Sequence, residues 1–124
     1  MIENKVISIL GTEYKIEVVD PEQDEIMKDT GATGYMNGPG KRIAIADTDI
    51  HYKYKYFTPD EREIEERNCL RHEIIHAFLY ESGLDRNTGV PDGGWASHEE
   101  MVDFFAMQMT KMLKAFREAG CAVY

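Results

Sequence analysis

The chain has 124 residues, 43% hydrophobic and 30% charged, enough for one folded domain over 1–124 and too short for a second core. Against 23 acids stand 14 Lys and Arg, a net charge of −9 that argues against a nucleic-acid partner or an anionic membrane surface, both of which call for a basic face. No apolar run approaches the ~20 residues of a membrane span, no leader pattern opens the chain, and Cys69 and Cys121 make no disulfide framework, which together predict a cytoplasmic protein with reduced thiols.

Residues 5–19 alternate polar and apolar side chains around Gly11-Thr12, which predicts a hairpin of Lys5–Leu10 against Glu13–Val19. The acidic stretch after Asp20-Pro21, through Lys28, reads as a short helix ended by Asp29-Thr30-Gly31. A second hairpin is expected from Ala32–Asn37 and Lys41–Asp47, joined by Gly38-Pro39-Gly40. His51–Phe57 alternates tyrosine with lysine and reads as an edge strand presenting Tyr52, Tyr54 and Tyr56 on one face.

Thr58-Pro59-Asp60-Glu61 is a helix start: Thr58 can cap, Pro59 takes the first helical position and Glu61 completes a capping box. Helical periodicity then runs to Glu81, where Ser82-Gly83 ends it. After a Gly-, Asn- and Asp-rich loop over Leu84–Ala96, Ser97-x-x-Glu100 reads as a second capping box, opening a helix to about Ala119 with an apolar stripe of Met101, Phe105, Met109, Met112 and Phe116. Strands first and two long helices after give an α+β fold, a small antiparallel sheet packed on two helices.

The first long helix carries His72-Glu73-Ile74-Ile75-His76. Residues four apart share a helix face, so both imidazoles can reach one ion. Glu73 lies about 100° round the helix, where its carboxylate can touch a water on the metal without binding the metal. Two histidines suit zinc and leave room for a third ligand and a water, whose proton Glu73 can take as general base. The third ligand is sought in the second helix. If Ser97 caps that helix, Glu100 is engaged at its third position, and Glu99 is free to ligate, with Asp103 one turn on to orient a histidine through its other ring nitrogen. Glu100 is the competing ligand. Tyr80, His98, His51 and Tyr54 could each donate to a developing oxyanion, and the sequence does not rank them.

His-Glu-x-x-His on one helix, followed on a second by Glu99-x-x-x-Asp103-x-Phe105-Ala106, resembles the gluzincin zinc peptidases, and is most similar to the small bacterial and phage ImmA/IrrE-type proteins. Val102 stands where that helix usually has alanine. The resemblance implies a zincin-like domain with Zn2+ held by His72, His76 and Glu99, Glu73 as base, and a peptide or protein substrate adding along a sheet edge, for which Arg42–Asp47 is the local candidate. The expected function is a zinc-dependent peptide hydrolase. The alternative is a non-catalytic zinc domain acting as a binding module in a phage or mobile element, for which a metal covered by the Ala32–Asp47 hairpin would be the sign.

Overall fold

The computed structural model describes residues 2–86 and 94–123. The first alternating stretch forms the expected hairpin, β1 (Lys5–Ile9) paired antiparallel with β2 (Thr12–Val19), and Leu10 and Gly11 both take positive φ in its turn. The acidic stretch yields a short helix, α1 (Glu25–Thr30). Asp24 caps it by accepting from the Met27 N–H, and Gly31 ends it in the left-handed conformation. The second hairpin is β3 (Gly34–Asn37) against β4 (Arg42–Ala46).

The sheet is mixed, where a purely antiparallel one was expected. Its order is β1-β2-β4-β3, and β4 runs parallel to β2, with Ile16 opposite Ile43 and Val18 opposite Ile45. Each hairpin is local and legible, but how two hairpins join is decided by the crossover through α1, which delivers β3 to the far edge and returns β4 to the centre. The Arg42–Asp47 stretch is therefore interior strand, and the two sheet edges belong to β1 and β3.

His51–Phe57 is not an edge strand. His51 accepts the Lys53 N–H at its Nδ1 and lies 3.1 Å from the Ala32 carbonyl through Nε2, winding Tyr52–Tyr54 into a 3-10 turn. Tyr54 is buried, stacked edge-on to Phe57, while Tyr52 and Tyr56 stay exposed. The strict alternation reflected no pleat.

The first long helix, α2 (Pro59–Glu81), starts as expected: Thr58 Oγ1 accepts from the Glu61 N–H, and Glu61 accepts from the Thr58 N–H. One face of α2 lies on the sheet. There Ile9, Tyr14, Ile16, Ile43, Ile45 and Ala77 form the main core, with Leu70 and Ile74 against it. The other sheet face is covered by Met27 of α1 on Ala44 and Ala46. A second helix, α3 (Glu99–Ala119), packs on α2 through Val102, Leu79 and Ala96. The α+β class is thus as expected, in four layers: α1, sheet, α2 and α3.

The capping of α3 differs from expectation. Trp95–Ser97 is a 3-10 turn, so Ser97 is consumed there, and His98 occupies the cap position with no side-chain cap bond. Residues 87–93 of the expected loop lie outside the described residues. Among the described residues no helix is long and apolar enough to cross a membrane.

Candidate metal centre

Helix α2 is sandwiched between the sheet and α3, and its middle two turns put His72, Glu73 and His76 at the border of the two contacts. The helix approaches the sheet edge closely at Gly34, where a Cβ would stand 2.7 Å from Cys69 Sγ and 3.1 Å from the Ala44 carbonyl, so glycine is required for β3 to lie beside the motif. Gly38 plays the same part at the other end of the hairpin, under the Tyr80 ring. Beyond the motif, the Thr48 hydroxyl donates to Glu66 at 2.6 Å, tying the segment after β4 to α2.

On the α3 side the docking is polar. Arg71 Nε donates to the Ala106 carbonyl at 2.6 Å, and Val102 and Ala106 are completely buried. This brings the first two turns of α3 over the histidines. Glu99 Oε2 lies 3.0 Å from His72 Nε2, Glu99 Oε1 lies 3.0 Å from His76 Nε2, and the two Nε2 atoms are 3.1 Å apart. Asp103 Oδ1 lies 2.8 Å from His72 Nδ1. Glu99 is thus brought to the histidines, although the capping argument that favoured it over Glu100 does not hold.

These distances fit a metal. Three ligand atoms at 2.0–2.1 Å from a tetrahedral zinc stand about 3.3 Å from one another, within a few tenths of the spacing here. A neutral His72 that donates its Nδ1–H to Asp103 has only a lone pair at Nε2. That lone pair faces the Glu99 carboxylate across 3.0 Å, an arrangement that calls for a cation or a proton between them. His72, His76 and Glu99 are the one such ligand group found among the described residues.

Glu73 is not among the ligating atoms. The residue is 8% exposed, and its carboxyl comes within 4.0 Å of His72 Nε2. Burial pushes it up to about 7, with His72 pulling down and Glu99 pushing up.

The cleft in front of these residues has a volume of about 570 Å3. One wall is α2, with Asn68, Cys69, Glu73 and the histidines; the other is Ala32–Met36, including the edge strand β3. Lys53 and Tyr54 close one end and Glu99 and Asp103 the other. The β3–β4 hairpin therefore borders the cleft and does not cover it. Of the residues weighed as oxyanion donors, Tyr54 lines this cleft, and burial raises its hydroxyl. His51 is buried under the turn. Tyr80 packs between Lys41, Arg86 and Gly38. Cys69 lines the cleft outside the ligand group, its thiol pushed up to about 11 by burial and facing Thr33 at 3.7 Å.

Sequence reasoning missed Arg71, Lys53 and the Thr48–Glu66 bond. An arginine beside the motif carries no signal that it will reach a carbonyl on another helix. Lys53 falls in the stretch whose alternation reads as an edge strand.

Comparison of the chain with models of protein families, with curated proteins and with solved structures found no match in any of the three.

Proposed function

We propose that this chain is a zinc-dependent peptide hydrolase in which Glu73 is the general base. The carrying observation is the convergence of His72, His76 and Glu99 on one point, with Asp103 fixing the His72 tautomer, at the wall of an open cleft. Zinc bound there would supply a Lewis acid and bring a water toward ionisation near neutral pH.

The chain's own residues supply the rest. Asp103 accepts from His72 Nδ1 and turns its Nε2 toward the ligand point. Glu73, a helix step away, takes a proton from the attacking water and returns it to the leaving amine as the C–N bond breaks. Its burial excludes competing solvent from that carboxylate. The unpaired outer edge of β3 offers backbone groups for an extended peptide, and its place beside α2 would carry that peptide past Glu73. The open cleft favours hydrolysis over the non-catalytic binding module, whose sign was a covered metal.

The test joins elemental analysis to peptide turnover. About one zinc per chain is expected in the wild type, lost in His76→Ala and weakened in Glu99→Ala. Glu73→Gln keeps its zinc and loses hydrolysis by ~10²-fold or more. Turnover equal to wild type in Glu73→Gln would overturn the mechanism, and a wild type that takes up no zinc would overturn the site.

A further inference from the structure

Among the described residues, the α2 wall of the cleft holds one buried side-chain oxygen without a partner. Along that wall His72 and His76 converge with Glu99, Glu73 stands beside them, and Cys69 faces Thr33 at 3.7 Å. Asn68 lines the same cleft one turn before His72. Its Oδ1 is shielded from water and accepts no hydrogen bond. An acceptor left in that state calls for a donor that the fold itself does not supply. The last torsion of an asparagine is soft, so the oxygen can turn toward an occupant of the cleft without disturbing the helix.

The opposite wall indicates what that occupant is. Strand β3 runs beside α2 in the same direction, with Gly34 against Cys69 and Gly38 against Tyr80. An extended peptide added to the outer edge of β3 pairs with it through alternate residues. Its other main-chain groups are turned away from β3, and those passing α2 need partners from that wall. Asn68 is uncharged and offers both an acceptor and donors, the complement of a main-chain amide. Glu65, a turn earlier on the same wall, has acceptors alone. The spacing agrees as well. Four helical residues from Asn68 to His72 span about 6 Å, and groups on one side of an extended chain recur every ~6.7 Å.

We propose, resting on the peptide-hydrolase reading above, that Asn68 positions the substrate. Its Oδ1 accepts a main-chain N–H of the bound peptide, two residues from the one beside the metal ligands. Held between β3 and Asn68, the peptide is fixed in register through its backbone, whatever its side chains. The substrate is accordingly an extended segment, and proline is excluded at the residue that faces Asn68, because it has no N–H to give.

The test uses peptides selected from a random library for binding to the Glu73→Gln protein with zinc present, so that no turnover is needed. Adding Asn68→Ala should weaken them about tenfold, with zinc content kept and the unfolding midpoint no lower. In a scan of singly N-methylated peptides, one position should lose about tenfold against Glu73→Gln and nothing once Asn68 is alanine; proline there should behave alike. Unchanged affinity in Asn68→Ala, a methylation profile that Asn68→Ala leaves as it was, or no peptide bound at all would overturn the proposal. A wild type that binds these peptides without cutting them would overturn hydrolysis and leave the role of Asn68 standing. Cutting by Asn68→Ala at the wild-type KM would do the reverse.

Discussion

Helix α2 has two neighbours and is joined to them by different chemistry. Toward the sheet it meets a closed apolar cluster in which Tyr14, Ile43 and Ala77 have no exposure at all. Toward α3 the apolar contact is thin, resting on Val102, Ala106 and Leu79, and polar atoms carry the rest: Arg71 on a carbonyl, Asp103 on His72, and Glu99 across both histidines. One side holds by excluding water. On the zinc reading proposed above, the other would be completed by a cation held between Glu99 and the imidazoles. A ligand set that spans the weaker boundary would make ion binding and α3 docking one event.

The comparison can be broken most forcefully on the sheet side. Ile43→Ala should cost about 2–5 kcal/mol in denaturant unfolding and lower the protection of every element, because it empties the cluster both α2 and the sheet share. Loss confined to α3 would show that the apolar side is not the stronger. Next, zinc at a hundredfold above its dissociation constant should stabilise the wild type by about 2.7 kcal/mol, with the slowing of amide exchange greatest in α3; Glu99→Ala, its zinc binding weakened, should show less of both at the same zinc concentration. Equal slowing in β1 and β2 would mean that the two boundaries are not separate. A smaller effect, about 1 kcal/mol, is expected from Thr58→Ala, which removes the cap that starts α2 without touching either interface.

What could be read in advance follows the range of the interactions. The β1–β2 hairpin, the Thr58 capping box and the His72–His76 spacing are set by residues within a few positions of one another, and all three stand in the structure. The parallel junction of β2 with β4 depends on a crossover that no local pattern encodes. The tyrosine alternation at 51–57 misled because His51 satisfies two backbone groups and outweighs a period-two pattern. The sequence argument for Glu99 runs through a cap that Ser97 does not make; Glu99 reaches the histidines because Arg71 and Val102 set the height of α3.

A separate, pH-dependent effect is expected at Cys69, between β3 and α2. Its folded-state pKa is raised by burial to about 11, so its contribution to stability is complete below the ordinary thiol range near ~8.5. That contribution should be lost as pH rises toward 11, because only the unfolded chain can release the proton. Unfolding midpoints between pH 8 and 10 should decline in the wild type and stay flatter in Cys69→Ala. Identical slopes would place the alkaline sensitivity elsewhere.

The central position of β4 also bears on how fast the chain folds. Its neighbour β3 is local, but its other neighbour β2 pairs with it in the register Lys15 to Arg42, so the intervening chain must close as a loop before the sheet is continuous. Such a step is entropic, weakly dependent on the exact length of the loop, and slow compared with forming either hairpin. Refolding should therefore be timed by this closure, and insertions at Glu22-Gln23, on the arm outside both α1 and the strands, should slow folding only slightly while leaving the finished sheet intact.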